Sequence, residues 1–352
     1  MSNPQTKIKM RTLLLFLLLA KLPATAICQS DCSKLSGVAR VVCLAETFKK
    51  TLSKEQLALV QLDYSKGDAV RWSNFPQAFA RPSRVGLGLG SLTPTQFGAF
   101  EALMRDVLSV NQANEGFDEL EGALYADSFF GEKTGKTTVF GSSYYLIVFL
   151  GKPSAEQRWE LMFGGHHYAF ANTYDHGKLA GATPSFRGVE PLQPIPAKGK
   201  VYQPLEDEKK AFAEILMSLS DEQKKSARIS SEMRDILLGP GRDNDFPATK
   251  SGIKIGTLGG NVVKKITEAI GLYVNDLDPT TAQVLMKKYI ESIEDTYLSY
   301  AGSGTMVQAN DYIRLDGPDL WIEYSAQPSR DFPGTSPPHS VWRDRKTDYG
   351  GN

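Results

Sequence analysis

The chain has 352 residues and a formal net charge of zero, from 40 Lys and Arg against 40 Asp and Glu. Hydrophobic residues make up 41% and charged residues 23%, ordinary values for a globular protein that exclude a disordered or collagen-like chain. No basic excess is present, so a nucleic-acid partner is not expected. The length allows two domains or one large domain.

The first 26 residues have the organisation of a secretory signal peptide. Basic residues precede the apolar run LLLFLLLA at 13–20, and Ala24-Thr25-Ala26 fits a cleavage site. The run is far shorter than the ~20 residues needed to cross a bilayer, so no membrane span is expected. Cleavage would leave 36 basic and 40 acidic residues, a net charge of −4. We therefore predict a mildly acidic protein that is secreted or periplasmic.

Three cysteines, Cys28, Cys32 and Cys43, follow the proposed cleavage site closely. In an oxidising compartment, Cys32 and Cys43 could pair and leave Cys28 over, although other pairings remain open. The rest of the chain has no thiol. Thiol catalysis and thiolate metal sites are therefore excluded from the main body of the protein.

Several helix starts are visible. The segments Leu52–Gln56, Leu92–Gln96 and Leu219–Gln223 each place a Ser or Thr three residues before a Gln, after an apolar residue, which is the pattern of a capping box. Asp278 and the Pro that follows it begin another helix, expected to run to about Tyr300. The sequence shows no internal repeat of fixed period.

Strands are expected in the middle and at the end of the chain. Segments 137–140, 144–150 and 158–163 are rich in β-branched and aromatic residues and are bounded by Gly or Pro. Residues 311–325 read as a hairpin whose turn is marked by the sequence DGPD.

The hairpin has an expected register. If Leu315 lies opposite Leu320, then Ile313 lies opposite Ile322 on the same apolar face. Arg314 would then lie beside Trp321 on the other face.

The order of elements predicts the fold class. Helices at about 40–127 precede strands at 135–190, a helical insertion follows at about 205–300, and strands return at 308–345. Because runs of helices and strands are separated, we expect an α+β fold with a mainly antiparallel sheet and flanking helices. We expect a single domain over residues 27–352.

Histidines mark the best candidate site. His166 and His167 are adjacent and follow two glycines at the end of a predicted strand, and His339 lies far along the chain in HSVWRD. Histidine is a common metal ligand and the natural acid or base near neutral pH. A metal site could draw on His166 or His167, on Glu190 and on His339, a set that suits Zn²⁺, Cu²⁺ or Fe²⁺.

A regular strand would send His166 and His167 to opposite faces. Both could bind one ion only if the glycine pair supplies a bend, and otherwise only one of them is a ligand. Two alternatives stay open: one histidine is a hydrogen-bonded core residue and the other is exposed, or a metal-free histidine acts as acid or base. No HExxH motif occurs, which excludes a zincin helix.

Other motifs carry weaker signals. The run GLGLGS at 86–91 lacks the spacing of a nucleotide-binding loop and is interpreted as a turn before a helix, so no nucleotide cofactor is expected. The aromatic residues could line a ligand cleft, although core packing is more common. Arg81, Arg84, Arg187 and Arg343 could bind an anionic group, although arginines paired with carboxylates at the surface are more common. Of these, Arg343 is the candidate catalytic residue.

Several motifs, in this order, resemble the domain-of-unknown-function family 3500 over residues 44–350. They are WSNFP at 72–76, GGHH at 164–167, GVEP at 188–191 and HSVWRD at 339–344. The resemblance implies one domain across the chain and a secreted protein of bacterial or fungal type. It implies no reaction, and it makes the GGHH and HSVWRD segments the first to test.

Two functional hypotheses follow. The first is a secreted metal-dependent enzyme, in which His166, His167 and His339 are ligands and Glu190 is a ligand or base. A metal-bound water would hydrolyse a small substrate, or a redox metal would oxidise it. The second is a non-catalytic periplasmic or extracellular protein that binds a small ligand and has structural histidines.

Overall fold

The computed structural model describes residues 31–351, so the proposed signal peptide and Cys28 lie outside the described residues. In the described part, a disulfide joins Cys32 to Cys43, as the sequence suggested, with 5.8 Å between the Cα atoms. It ties a short 3₁₀ turn to the first helix. None of the helices between residues 31 and 351 is both long enough and apolar enough to cross a membrane.

The helices confirm the predicted starts. The Ser53, Thr93 and Ser220 side chains each cap a helix in a complete capping box, and Asp278 accepts from two N–H groups of the first turn that it caps. The helices are α1 (Gly37–Lys50), α2 (Lys54–Val60), α3 (Lys66–Ala69), α4 (Pro94–Val107), α5 (Phe117–Thr134), α6 (Glu206–Met217), α7 (Asp221–Ala227), α8 (Gly260–Val274) and α9 (Pro279–Glu291). Helix α9 ends well before the predicted Tyr300, because a 3₁₀ turn and a strand follow it.

The strands form one large sheet and a small hairpin. They are β1 (Gln61–Leu62), β2 (Leu87–Gly88), β3 (Leu146–Leu150), β4 (Trp159–Gly164), β5 (Tyr168–Asp175), β6 (Lys178–Gly181), β7 (Ser185–Gly188), β8 (Ile195–Ala197), β9 (Lys200–Tyr202), β10 (Ile253–Lys254), β11 (Tyr297–Ala301), β12 (Tyr312–Asp316), β13 (Leu320–Ala326) and β14 (Pro338–Asp344). The sheet order is β1-β3-β4-β5-β7-β14-β13-β12-β11-β10, with β2 on β3 and β6 on β5. Among the strands of residues 31–351, only β1 pairs in parallel with another strand, β3. The α+β class and the mainly antiparallel sheet are confirmed.

Two local predictions were wrong. Residues 137–140 form a turn after α5, in which the N–H groups of Val139 and Phe140 donate to the Lys136 carbonyl, so their β-branched composition does not make a strand. In the β12–β13 hairpin, Leu315 pairs with Ile322 rather than with Leu320, because the turn takes four residues.

The two faces of that hairpin are as predicted. Ile313, Leu315, Leu320 and Ile322 all belong to one apolar core. On the other face, the Arg314 guanidinium lies over the Trp321 ring, 4.9 Å from its centroid.

The sheet consists of two halves with the same topology. Strands β2-β3-β4-β5-β7 of the first half match β10-β11-β12-β13-β14 of the second. Helix α2 leads into β1, which runs parallel to β3, and α7 leads into Arg228, which makes a parallel bridge to Tyr300 in β11. Strands β7 and β14 meet antiparallel at the centre, with Ser185 opposite Trp342. A pseudo-two-fold axis therefore relates the halves, and the helices at 205–300 are the counterparts of those in the first half.

Two glycines occupy equivalent positions in the two halves, and each is required by the backbone around it. Gly86 precedes β2 with φ +127°, and Gly252 precedes β10 with φ +95°. A Cβ on Gly86 would lie 2.6 Å from the Ile147 carbonyl oxygen, and one on Gly252 would collide with the equivalent carbonyl of Leu298. The run GLGLGS thus forms β2 and the 3₁₀ turn after it, and a capped helix follows as predicted. What the halves share is backbone geometry, with few identical side chains.

Replacing Gly252 by alanine is expected to destabilise the protein by about 2 kcal/mol or more, because the new Cβ would meet backbone at a left-handed position. The midpoint of urea unfolding measures the effect. Gly241→Ala is the matched control, since Gly241 also has a positive φ but has open space around it. Equal losses in the two variants would show that the close approach to Leu298 is unimportant.

Most helices cover one face of the sheet, and mainly irregular segments, one of which contains α3, cover the other. Each half has its own core between helices and sheet. The opposite face is covered by the first crossover segment (residues 63–86), the second crossover segment (residues 229–252) and the C-terminal end. Of the aromatic residues that could line a cleft, those buried in packing are Trp72, Tyr145, Trp159, Trp321 and Trp342. Phe75 is exposed.

Candidate functional site

Three of the four histidines lie together on the face covered by the crossover segments. The rings of His166 and His167 stack, with centroids 3.7 Å apart. The Nε2 atoms of His167 and His339 lie 3.2 Å apart. His176 lies elsewhere, is mostly exposed and pairs with Asp175. The structure therefore brings together the three histidines singled out in the sequence.

Local backbone geometry explains how adjacent histidines share a side. A Cβ on Gly165 would collide with the Tyr145 ring, so only glycine lets the chain cross that ring. His167 has φ +66°, which breaks the alternation of a strand. Its N–H donates to the Asn74 carbonyl at 3.1 Å, and its carbonyl accepts from the Gly188 N–H at 2.6 Å. The turn is therefore bonded on both sides.

His339 reaches the cluster from the start of β14, where it pairs with Gly188 of β7. Its Nδ1 lies 2.9 Å from a carboxylate oxygen of Asp235, in the second crossover segment. Gly188 leaves room for the neighbouring imidazole, because a Cβ there would lie 3.2 Å from the His167 ring. The central strand pair and one crossover segment thus position this histidine.

His166 is held in a similar way. Its Nδ1 lies 2.6 Å from a carboxylate oxygen of Asp127 on α5, and the other oxygen of Asp127 accepts from the Gly141 N–H at 2.8 Å. The Tyr145 hydroxyl donates to the His166 carbonyl. An ionised carboxylate only accepts hydrogen bonds, so Asp127 and Asp235 each place a proton on the nearby Nδ1. The Nε2 atoms of His166 and His339 are then lone-pair acceptors.

The middle imidazole is neutral. His167 is 7% exposed, and burial together with the neighbouring imidazoles holds its pKa well below the usual range. A buried arginine supports the backbone beside it. The Arg84 guanidinium donates to the Ser73 and Phe75 carbonyls, at 2.9 and 2.8 Å, on either side of the residue that binds His167. Burial lowers the pKa of Arg84 to about 10.

The two other predicted site residues lie apart from the cluster. Glu190 accepts from the Ser329 hydroxyl at 2.5 Å. Arg343 is 1% exposed and bonds to Asp243, at 2.6 Å, and to Asp348, at 2.8 Å. Neither side chain hydrogen-bonds to a clustered histidine within residues 31–351. In that same range, no three His, Cys, Asp or Glu side chains are already arranged to hold one metal ion.

Sequence reasoning missed the two aspartates. The sequence contains a pattern that could have predicted the burial of Asp127, because this residue follows Leu120 and Leu124 at helical spacing and so lies on the buried side of α5. No such pattern marks Asp235, since it lies in an irregular segment 104 residues before its partner His339. Both depend on contacts between distant parts of the chain.

The fold and the site together define an α+β protein with a duplicated sheet and a cluster of three histidines, two of which are oriented by carboxylates. The chain belongs to the family described as protein of unknown function (DUF3500), whose model matches residues 35–351. The family resemblance noted in the sequence is therefore confirmed. No curated protein and no solved structure shows a significant match to the chain.

Proposed function

We propose that this protein is a secreted metal-dependent enzyme that acts on a small substrate at the histidine cluster. The observation that carries the proposal is the 3.2 Å separation between the Nε2 atoms of His167 and His339. Two nitrogens bound to one tetrahedral ion, each about 2.1 Å from it, lie about 3.4 Å apart. The two imidazoles are therefore spaced as ligands of a shared ion.

The two aspartates beside the cluster also support a metal site. Histidine ligands generally bond through their second ring nitrogen to a carboxylate or carbonyl, which fixes the tautomer and orients the ring. Asp127 and Asp235 make such bonds to His166 and His339. The lowered pKa of His167 favours the neutral form that binds metal. His166 is the third candidate ligand, which requires its ring to rotate out of the stack on His167.

The chemistry follows from the ion. Zn²⁺ held by these imidazoles would supply Lewis-acid chemistry for a hydrolysis, whereas Cu²⁺ or Fe²⁺ would supply redox chemistry for an oxidation. Glu190 remains the proposed base or further ligand, because it lies two residues beyond Gly188, which bonds to His167. The signal-like N-terminus and the Cys32–Cys43 disulfide support secretion.

The second candidate function is a non-catalytic ligand-binding protein with structural histidines. It is favoured by the limited exposure of the cluster, in which the His166 and His339 side chains are only 11% and 16% exposed. In that case the Nε2 contact between His167 and His339 is a hydrogen bond, with one nitrogen protonated.

Metal analysis separates these functions. Protein purified without a histidine tag is expected to bind about one Zn²⁺, Cu²⁺ or Fe²⁺ per chain, measured by elemental analysis and calorimetric titration. His167→Ala and His339→Ala are expected to abolish stoichiometric binding. Asp235→Asn is expected to weaken it by about 10- to 100-fold, since it removes the carboxylate that orients His339.

His176→Ala is the matched control and should bind metal as the wild type does, because His176 lies outside the cluster. If the wild type binds none of the three metals and none of them raises its melting temperature, the metal-dependent function is excluded and the histidines are structural. If His339→Ala retains the full wild-type amount of bound metal while His167→Ala does not, His339 is not a ligand.

A further inference from the structure

A second cluster of ionisable groups lies on the helix-covered face of the sheet. The carboxylates of Glu115, Glu119, Glu208 and Asp276 surround Arg187, and each of these five residues is at most 4% exposed. Neither the predicted site nor the proposed metal function uses this carboxyl cluster. We call Arg187 and the four carboxylates around it the carboxyl cluster.

Two of the four carboxylates have partners. The Arg187 Nε donates to Glu119 at 2.5 Å, and a terminal guanidinium nitrogen donates to Asp276. Asp276 also accepts from the Gly116 N–H at 2.6 Å. In Glu115 and Glu208, by contrast, both carboxyl oxygens are buried and have no hydrogen-bonding partner among the side chains and backbone of residues 31–351.

The charge count shows that the cluster cannot be fully ionised. Four carboxylates against one guanidinium would leave three net negative charges in the protein interior. An isolated buried charge costs far more than protonation does, so the unpartnered carboxyls keep their protons. Burial and the neighbouring carboxyls raise the pKa of Glu208 to about 8 and raise that of Glu115 further.

The cluster lies at the junction of the two halves. In the first half, Glu115 lies just before α5 and Glu119 lies in its first turn. In the second half, Glu208 lies on α6 and Asp276 lies just after α8. Arg187 lies on the central strand β7. The Ser109 N–H, after α4, donates to the Asp276 carbonyl at 2.6 Å, so backbone also crosses this junction.

Asp207 on α6 adds a further negative charge that raises the pKa of Glu208. Three tyrosines also face the cluster: Tyr168 on β5, Tyr273 on α8 and Tyr324 on β13. Two of them connect it to the histidines on the other face. Tyr168 directly follows His167, and the Tyr273 hydroxyl lies 2.6 Å from the hydroxyl of Ser340, which follows His339. The cluster therefore lies beneath the strand ends that carry the histidines.

We propose that the carboxyl cluster is a proton-loaded latch, which holds the two halves together while Glu208 and Glu115 are protonated and loosens when they ionise in alkali. Like charges then repel across the junction of α5, α6 and α8, and only one guanidinium opposes them. The latch is independent of metal binding, and no substrate or ion is needed for it to act.

The sign of the pH dependence follows from linkage. The pKa of Glu208 is higher in the folded protein than its ordinary value of 4.5, so between about pH 4.5 and pH 8 the folded state binds more protons than the unfolded chain. Its contribution to stability is fully present below pH 4.5 and is lost as pH rises through about 8. Alkali, rather than acid, opens the latch.

Urea unfolding at pH 5, 7 and 9 tests the proposal. The wild-type midpoint is expected to fall from pH 5 to pH 9. Glu208→Gln should remove part of that fall and unfold at a higher urea concentration than the wild type at pH 9, because glutamine does not ionise. Glu268→Gln is the matched control, since Glu268 is an exposed glutamate on α8 and should follow the wild type.

A pH dependence in Glu208→Gln identical to that of the wild type would overturn the latch. Infrared spectroscopy of the wild type gives a second test, which does not depend on a variant that folds. A carbonyl stretching band of protonated carboxyl should be present at pH 6 in the folded protein and should weaken by pH 9. The absence of that band at pH 6 would also overturn the proposal.

Discussion

Replacing Arg187 by methionine is expected to lower the free energy of unfolding by about 3 to 5 kcal/mol, because it removes one partner of a buried charge pair and leaves the other uncompensated. Glu119 and Asp276, both 1% exposed, would lose the cation that pairs with both of them. The loss should grow with pH. In mild acid the stranded carboxyls regain protons, whereas in alkali they must be buried as anions or the halves must separate.

Urea unfolding at pH 5 and pH 8 measures this effect. Arg105→Met is the matched control, because Arg105 is nearly half exposed and pairs with Glu101 at the surface of α4. That pair should contribute less than about 1 kcal/mol. If Arg187→Met costs no more than Arg105→Met, the carboxyl cluster does not depend on its guanidinium.

Replacing Glu323 by glutamine is expected to cost about 3 kcal/mol and to weaken metal binding as well. Glu323 is fully buried on β13, and each of its oxygens accepts two hydrogen bonds. The donors are the N–H groups of Leu237 and Leu238, the Tyr312 hydroxyl and the Trp321 indole N–H, at 2.6 to 2.9 Å. Glutamine keeps the shape but turns one acceptor into a donor, so two buried donors lose their partner.

The effect on the histidines arises through the backbone. Leu237 lies two residues after Asp235, so Glu323 anchors the part of the second crossover segment that orients His339. Zn²⁺ titration and urea unfolding together test this connection. Glu232→Gln, in the same segment but exposed, should change neither quantity. A destabilised Glu323→Gln protein with unchanged metal affinity would show that the anchor does not position His339.

Local signals were enough to predict the helix starts. A capping box is closed by residues three apart, so Ser53, Thr93 and Ser220 could be assigned from the sequence alone. Strands are harder because composition is a weaker signal than pairing. Residues 137–140 have a strand-like composition, but no neighbouring strand is available to them, and Lys136 closes a turn instead.

The candidate site was predictable in part, because histidine is scarce in this chain. Four histidines, two of them adjacent, left few combinations for a site. The carboxylates that orient them could not be found in the same way. Asp127 and Asp235 lie 39 and 104 residues from their partners, and only the folded sheet brings them together. The buried acids around Arg187 were likewise invisible, since charged residues are normally expected at the surface.

The duplicated topology escaped detection because the halves differ in their side chains at equivalent turns. The turn from Gly164 to Tyr168 carries both adjacent histidines, and the equivalent turn from Asp316 to Leu320 reads DGPDL. In both turns four residues lie between the last paired positions, and both close with the same bond, from Gly165 N–H to the Tyr168 carbonyl at 2.8 Å and from Gly317 N–H to the Leu320 carbonyl at 2.7 Å. The two turns therefore share the hydrogen bond that closes them, whereas only the first has a left-handed residue, His167 with φ +66°.

The central pairing of β7 with β14 also bears on the origin of the molecule. Ser185 and Trp342 are equivalent positions of the two halves, and they lie opposite each other. A half that existed alone would leave β7 as an open sheet edge, with unpaired backbone groups ready to join another strand. The most economical partner would have been a second copy of the same half, joined edge to edge as a symmetric dimer. Fusion of two copies of the gene would then have freed the halves to diverge, so that the first supplied His166 and His167 and the second supplied His339.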